Sequence, residues 1–333
     1  MRRRTIGITA CFAVVALFST LARPTLARSR SRTAWVLTKD GRSVEGVLPL
    51  EALTFTVNGT AQKIAIGDVR SFHSAEPASE AEALRISKGL TTVQGKDFKA
   101  ADAAAEGLAD VGLPVLNPLL AAYKDTDAHE PDPLYRLFGR VVPGFADAAD
   151  RKLDLLRLAN GTALRGKLSP LDLKLTGADG QTTVVEASNL RRLAILQPSV
   201  ERTFDLQALR HCTYVGWFDT GLATTPASRL RADASGYVRL SFDEDGWSCD
   251  PDGIVDPLPG KRRMQEGFRW GAVLGRVGAT GARWLVGKHV EKGALGAGRL
   301  YFVVNDNEHW QNNIGSFRVR IRVTDTYDIG EPQ

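Results

Sequence analysis

The clearest alternation of apolar and polar positions lies close to the end of the chain. Four apolar side chains fall on one face of residues 317–323 and three arginines on the other: Phe317, Val319, Ile321 and Val323 against Arg318, Arg320 and Arg322. A period of two predicts a strand with one buried face and one solvated, basic face. An apolar run at 300–304 precedes it, and Asn305-Asp306 and Asn312-Asn313 lie between the two. We therefore predict two strands joined by a tight loop that gathers carboxylate and carboxamide oxygens.

A second pattern occurs twice, once on each side of a helical block. Gly41 and Gly46 of the first copy correspond to Gly161 and Gly166 of the second, and apolar positions recur at the same offset of 120 residues. Asp-Gly and Asn-Gly pairs between alternating runs are hairpin signals. Each copy is predicted to be a β-meander of about four short strands. The copies either pack together into one barrel-like domain, or one covers the sheet edges of the other.

The stretch between the two copies has helical periodicity. Alanine- and leucine-rich segments predict helices at 80–89, 96–111, 115–123 and 133–142. From residue 204 onward the chain is rich in Gly, Trp and short apolar runs, with turn signals at regular intervals. That texture is typical of an antiparallel β-sandwich. The predicted fold is mainly β with a helical insert.

The chain accordingly divides into predicted segments. They are a signal peptide at 1–27, a basic tail at 28–33, a first β-meander at 34–74, a helical segment at 75–152, a second β-meander at 153–196 and a β-sandwich at 204–328. Gln197-Pro198-Ser199 marks the boundary before the sandwich, because a proline and its preceding residue favour turns.

The first residues have the pattern of a secretory signal peptide. Met1–Arg4 is positively charged, 6–21 is uncharged and mostly apolar, and Thr25-Leu26-Ala27 offers small residues for cleavage. We expect export to the periplasm, the cell surface or the extracellular medium, with no membrane span left after cleavage. The alternative is an uncleaved anchor helix, but the apolar stretch is shorter than the ~20 residues of a membrane span.

Net charge gives no support for a nucleic-acid partner. The formal net charge is +5, and residues 1–27 contain four arginines and no acid, so the remainder carries +1. Nucleic-acid binding relies on neutralising phosphates with an excess of Lys and Arg, which a nearly neutral protein lacks. A homo-oligomer stays open as a partner.

Cysteines and motifs restrict the chemistry further. Cys11 leaves with the signal peptide, and Cys212 and Cys249 remain. In an exported protein these two either form one disulfide or stay as buried thiols. Gly-x-Ser-x-Gly, His-Glu-x-x-His and the phosphate-binding loop motif do not occur in the sequence. We expect no catalytic role. Paired carboxylates for glycoside cleavage stay open because their separation is spatial, as does a catalytic role for the N-terminal half.

Short motifs in the last third occur in the order seen in one lectin family. They are GWFDTGL at 216–222, ADASG at 232–236, PDGI at 251–254, GAVLGRVG at 271–278, GRLY at 298–301 and NNIGSF at 312–317. Through them, residues 211–325 resemble the PA-IL-like family of bacterial calcium-dependent galactose-binding lectins. The resemblance implies a C-terminal jelly-roll β-sandwich and implies nothing about residues 28–200.

The resemblance also implies a ligand set for one Ca²⁺ ion. Asp306 would supply a carboxylate, and Asn312 and Asn313 would supply side-chain oxygens. One backbone carbonyl would come from the loop, near Glu308 or His309, and another from the strand end near Leu240. Sugar hydroxyls complete the shell in that family, and hard oxygen ligands with vacant positions suit Ca²⁺. The alternative is that the Asp and Asn side chains only cap turns.

Two departures separate the chain from the family pattern. The loop from Asp306 to Asn312 is one residue shorter, and Asp250 and Gly253 stand where the family has sugar-contacting His and Gln. Galactose specificity is therefore not implied. We expect carbohydrate contacts from hydroxyl acceptors, a stacking ring and the residues around the ion: Asp250 and Asp252, Trp310, and Asp306, Asn307 and Asn312.

These patterns predict an exported, non-catalytic protein that binds a carbohydrate or glycan through a Ca²⁺-dependent, lectin-like module. The alternative is a structural or protein-interaction scaffold whose lectin-like domain has lost sugar binding, which the residues at positions 250 and 253 favour.

Overall fold

The structure is a computed structural model that describes residues 32–75, 79–111, 113–124, 137, 153–213, 216–240, 247–254, 267–306 and 313–330. Within these ranges the protein is mainly β with a helical insert, as predicted. The strands are β1 (Arg32–Thr38), β2 (Ser43–Leu48), β3 (Ala52–Val57), β4 (Thr60–Ala65), β5 (Val69–His73), β6 (Asp154–Leu158), β7 (Ala163–Leu168), β8 (Leu173–Thr176), β9 (Thr182–Val185), β10 (Leu190–Gln207), β11 (Phe218–Arg239), β12 (Ser248–Cys249), β13 (Val273–Val277), β14 (Trp284–Leu285), β15 (His289–Lys292), β16 (Gly298–Val304) and β17 (Ile314–Asp328). The helices are α1 (Glu80–Val93), α2 (Phe98–Val111) and α3 (Leu116–Lys124).

The two repeat copies exchange strands with each other. The second strand of each copy pairs with the third strand of the other, β2 with β8 and β7 with β3. The first strand of each pairs with the fifth strand of the other, β1 with β10 and β6 with β5. Even single hydrogen bonds are duplicated, since Lys39 N donates to Asn189 O and Ala159 N donates to Asp68 O, both at 2.8 Å. The copies therefore pack together around one shared core, the first of the two predicted arrangements.

The repeated glycines are explained by this exchange. A Cβ added at Gly46 would lie 2.7 Å from the carbonyl oxygen of Thr176, and one at Gly166 would lie 2.0 Å from that of Thr56. Both contacts are made to backbone atoms, which cannot swing aside as a flexible side chain can. Glycine is needed at each crossing because the strands of the two copies approach more closely than a Cβ allows.

The helical insert has a core of its own and a buried attachment to the sheet. α1 begins after Ser79, whose side chain accepts a hydrogen bond from Glu82 N, and it extends to Val93, beyond the predicted end at 89. Glu82 forms a buried ion pair with Arg191 of β10. The predicted helix at 133–142 lies outside the described residues except for Leu137, which is buried in the helical core. None of the helices in the described ranges is both long and apolar enough to cross a membrane.

Two long strands connect the repeat sheet with the C-terminal sandwich. β10 pairs with β1 and β5 through its first residues and with β17 from Leu196 to Gln207. The boundary predicted at Gln197-Pro198-Ser199 therefore lies inside a continuous strand. The proline is tolerated because it is exposed and the ladder passes from the Gln197–Thr326 pair to the Ser199–Thr324 pair without it. The domain limits stay predictions.

The C-terminal sandwich is built on the predicted alternation. On β17 the apolar side chains of the 317–323 run are fully buried, and the three arginines face solvent. β11 pairs with β15, β16 and β17, and β13 pairs with β14 and β16. This core places the ends of β11 and β16, and the start of β17, at the candidate site.

Candidate functional site

The candidate site begins at Asp306, two residues after the buried strand β16. Its backbone is held by Thr213, whose hydroxyl oxygen accepts from Asp306 N at 3.0 Å and donates to Asp306 O at 2.5 Å. Thr213 N in turn donates to Val304 O at 3.1 Å. Asp306 is 2% exposed, so its carboxylate is fixed in the interior as the chain leaves the strand.

Neutral donors from two other segments hold the carboxylate of Asp306. Trp270 Nε1 donates to Oδ1, and Asn313 Nδ2 donates to Oδ2, both at 2.5 Å. Asn313 Nδ2 also donates to Ala208 O at 3.0 Å. Hydrogen bonds to a carboxylate are among the stronger ones in proteins, so they hold the Asp306 side chain in one position. Two of the predicted ligand residues, Asp306 and Asn313, are thus brought into direct contact.

The amide oxygen of Asn313 accepts no hydrogen bond from the residues that the structure describes. Asn313 is 4% exposed, and its Oδ1 is buried with no partner among the described residues. A buried acceptor left in this state costs about 1–3 kcal/mol. A carboxamide oxygen beside a buried carboxylate is the donor type that Ca²⁺ takes, so these two residues fit the ion.

The side chain of Asn305 is bonded to the turn that carries Trp270. Its Nδ2 donates to Phe268 O at 3.1 Å and to Arg269 O at 3.0 Å. Its backbone oxygen accepts from Gly271 N at 2.6 Å. These bonds anchor the turn that carries Trp270, so Asn305 positions the ring that donates to Asp306.

The other wall of the site is formed by Leu240, Cys249 and Gly271. A Cβ at Gly271 would lie 2.2 Å from Cys249 Sγ and 3.1 Å from Leu240 Cδ1. Burial, followed by the charges of Asp250 and Asp306, raises the pKa of Cys249 to about 12. Leu240 and Cys249 therefore pack beside the turn that carries Trp270, and coordination by the Leu240 carbonyl stays a prediction.

The disulfide considered for Cys212 and Cys249 is not formed. Both residues are buried and no sulfur–sulfur bond joins them. Cys212 pairs with Val304 in an isolated bridge, whereas Cys249 packs against Gly271. The two cysteines are therefore buried thiols, the second of the sequence alternatives.

Asp250 and Asp252 are engaged by a lysine. Lys288 Nζ lies 2.7 Å from Asp250 Oδ2 and 3.4 Å from Asp252 Oδ2. Lys288 N also donates to Asp252 Oδ1 at 2.8 Å. The hydrogen bond from Lys288 lowers the pKa of the Asp250 carboxyl. Both carboxylates are exposed enough to meet a ligand, but a sugar hydroxyl would share them with the ammonium group.

The remaining predicted site residues lie outside the described residues. They are Asn307, His309, Trp310 and Asn312. Within the described ranges, no group of three or more His, Cys, Asp and Glu side chains is placed to hold a metal ion. A site made of one carboxylate with amide and carbonyl oxygens is a different type, and the four residues stay predictions.

Two contributors to the site were missed at the sequence level. Trp270 has no local feature that separates it from the other tryptophans, and Thr213 lies far from Asp306 along the chain. Only pairing across the fold brings their donor groups to residue 306.

No protein-family model and no curated protein sequence matches this chain. Among solved structures, the chain is similar to the N-terminal domain of EclA, described as a PllA-like lectin. That likeness has 22% sequence identity, covers 38% of this chain and 95% of that domain, and has a TM-score of 0.28. A TM-score this low decides nothing about the ligand, which has to be argued from the contacts above.

Proposed function

We propose that this chain is an exported, non-catalytic protein that binds a carbohydrate through a Ca²⁺ ion held at Asp306. The observation that supports it most directly is the buried Asp306 carboxylate in contact with Asn313, whose Oδ1 is buried with no hydrogen-bond partner among the described residues.

The ligand set would combine these two residues with the predicted ones. Asp306 supplies a negative charge, and Asn312, Asn313 and the carbonyls of His309 and Leu240 supply neutral oxygens. Ca²⁺ takes six to eight oxygen ligands, so a set of this size leaves positions for hydroxyls. When bound, the ion supplies a hard cation that two neighbouring sugar hydroxyls can coordinate.

The chain's own residues determine how the ion would be accepted. Trp270 Nε1 and Thr213 keep the Asp306 carboxylate and backbone in place, so little ordering is needed on binding. Asn313 would exchange its donation to Asp306 for coordination through Oδ1, which removes the cost of the unpartnered oxygen.

Calorimetric titration of the full chain with Ca²⁺ tests the proposal. We expect saturable binding that is lost in Asp306→Asn, a variant of equal size without the charge. The matched control is Asp205→Asn, an exposed aspartate on β10, which should bind as the unsubstituted protein does. At a free Ca²⁺ concentration of 100 times Kd, binding should add about 2.7 kcal/mol to the free energy of unfolding. A folded protein that binds no Ca²⁺ at millimolar concentration would refute the proposal.

Carbohydrate binding needs its own experiment, since the ion alone does not establish it. A glycan array probed in Ca²⁺ and again with a chelator should give hits that vanish with the chelator. Asp306→Asn should lose the same hits, and Asp205→Asn should keep them. An array that stays silent in saturating Ca²⁺ would eliminate the carbohydrate step while leaving the ion site intact.

The second candidate is a structural or protein-interaction scaffold. The ion pairs of Lys288 with Asp250 and Asp252 favour it, because they occupy carboxylates where sugar contacts are expected. In Lys288→Ala the two carboxylates are released. A lectin should then gain glycan affinity or change its preference, whereas a scaffold gives a silent array with either protein.

A further inference from the structure

Each repeat copy contributes one strand that lies at an edge of the repeat sheet. β4 in the first copy pairs with β3, β9 in the second copy pairs with β8, and neither has another partner among the described strands. The two strands hold the same place in their repeats. Lys63 of β4 lies opposite Thr54, and Val184 of β9 lies opposite Lys174, at the repeat offset of 120 residues from Thr54. An edge strand presents unpaired N–H and C=O groups that can pair with another chain.

The hydrogen bonds between β8 and β9 show which backbone groups face the free side of β9. Gly177 N donates to Gln181 O at 2.8 Å, just before the two strands begin to pair. Bonded and non-bonded residue pairs alternate along an antiparallel ladder. The N–H and C=O groups of Thr182 and Val184 therefore point away from β8. We call residues 182–186 the β9 edge.

A lysine protects the edge of the first copy, and the second copy has a valine in its place. In the first copy Ile66 N donates to Glu51 O at 2.9 Å, so the same alternation turns the backbone groups of Lys63 toward the free side of β4. The Lys63 side chain is exposed, and a lysine on an edge strand opposes the addition of another strand. Val184, at the equivalent position, is 53% exposed. Because β-branched residues favour strand pairing, β9 is the edge that can accept a further strand.

A groove of about 200 Å³ lies against the β9 edge. Residues 183–186 line it, together with Thr38, Arg42 and Val44 of the β1–β2 hairpin and with Asn189. Thr182, Thr183, Val184 and Glu186 are all exposed. The side chains of the β9 edge are therefore open to solvent, and the space beside four consecutive residues of this segment is unfilled.

We propose that the β9 edge pairs with the β9 edge of a second copy of this chain, antiparallel and about a two-fold axis, so that one sheet continues through a homodimer. In the register that uses all of residues 182–186, Val184 lies opposite Val184 of the second copy, and Thr182 lies opposite Glu186 of the second copy. Charge agrees with this register, because each Glu186 faces a threonine and no like charges meet. The same arrangement at β4 would place two copies of Lys63 opposite each other, which is destabilising.

Sedimentation velocity of the full chain tests this proposal. An edge of five residues buries less than the ~1,200 Å² of a standard interface, so the dimer should be weak and should form reversibly between about 1 μM and about 500 μM protein. A Ca²⁺ chelator is present throughout, so that the result is independent of the proposed ion site. Val184→Lys gives the second copy the lysine of the first. It should weaken dimerisation about tenfold or more, because it removes the contact between two valines and sets two lysines opposite each other.

Val47→Lys is the matched control. Val47 is 40% exposed on β2, but it lies between Thr33 of β1 and Thr176 of β8 and is therefore not at an edge. This variant should dimerise as the unsubstituted protein does, and circular dichroism should show that both lysine variants are folded. Hydrogen exchange then locates the contact. The amides of Thr182 and Val184 should exchange more slowly at high protein concentration than at low, and Val184→Lys should abolish that difference.

Lys63→Val tests the lysine of the first copy. It opens the second edge, so each chain can pair at both edges, and the dimers should extend into longer chains as the concentration rises.

Three results would overturn the proposal. The first is a monomer at every concentration, which would leave the groove to a strand of another protein. The second is equal weakening of the dimer by Val184→Lys and Val47→Lys, which would indicate a non-specific apolar contact. The third is a dimer with no added protection of the amides of the β9 edge, which would indicate a different surface. Asp306→Asn should dimerise normally, so failure of the Ca²⁺ proposal leaves this result unaffected.

Discussion

The buried ion pair between Glu82 and Arg191 should control how firmly the helical insert is attached. Glu82 is 3% exposed in the first turn of α1, and Arg191 is 2% exposed on β10. Arg191 Nε donates to Glu82 Oε1 at 3.3 Å, and its Nη2 donates to Oε2. Arg191 Nη1 also donates to Ser74 O at 3.5 Å. The pair therefore joins the start of the helices to the centre of the repeat sheet through two parallel bonds.

Replacing one partner leaves the other charge buried. We expect Glu82→Leu or Arg191→Met to lower the free energy of unfolding by about 3–5 kcal/mol each, the usual cost of breaking a buried pair. The double variant replaces both charges with apolar groups and should cost less than either single change. The two substitutions should therefore be coupled by at least about 3 kcal/mol in a double-mutant cycle.

Urea unfolding followed by circular dichroism and by tryptophan fluorescence measures this cycle. Arg85→Met is the control, since Arg85 is 46% exposed and lies 3.7 Å from the same carboxylate. A half-exposed partner should contribute no more than about 1 kcal/mol. The reasoning is refuted if the double variant loses the sum of the two single losses, or if Arg85→Met costs as much as Arg191→Met.

Three further predictions concern the fold and two titratable groups. Gly166→Ala should destabilise the protein by about 1–3 kcal/mol in thermal unfolding, because the new Cβ would clash with the carbonyl oxygen of Thr56. Gly107→Ala in α2 should stabilise it by about 0.5–1 kcal/mol, because a Cβ there meets no neighbouring atom within 4 Å. Equal effects of the two substitutions would contradict the close approach of β7 to β3. Cys249, whose pKa is raised to about 12, should stay unmodified by a thiol reagent at pH 8 until the protein unfolds, and a reductant should leave the unfolding temperature unchanged; rapid modification of the native protein would disprove this. Burial lowers the pKa of His73, which means that the unfolded chain binds a proton more readily, so stability should fall as pH decreases below about 6.5; His73→Gln should flatten that slope, and an unchanged slope would show that His73 is not its source.

The local pattern of apolar and polar residues was sufficient to predict an element when one of its faces is buried. The alternation at 317–323 predicts the buried and exposed faces of β17, because a strand has a period of two whatever its partner. Glycine pairs at 41 and 161 predict the hairpins, both with the positive φ that such turns require. Asp306 and Asn313 were predicted as neighbours because they lie at the ends of two consecutive strands.

The pairing partner of each strand could not be predicted from the local sequence pattern. The pattern of each repeat predicts strands, but it does not predict that β2 pairs with β8 and not with β3, because either pairing buries the same face. Pro198 resembles a boundary when only its neighbours are considered. It lies within β10 because it is exposed and the ladder with β17 passes from Gln197 to Ser199 without it.

The sequence alone determined the β-rich class, the helical insert, the faces of the strands and the residue types around Asp306, since these depend on periodicity and turn chemistry over a few residues. Tertiary structure decided the exchange of strands between the repeats and the donors from Trp270 and Thr213. Those features join residues far apart in the chain, and such contacts are chosen by the packing of the whole core.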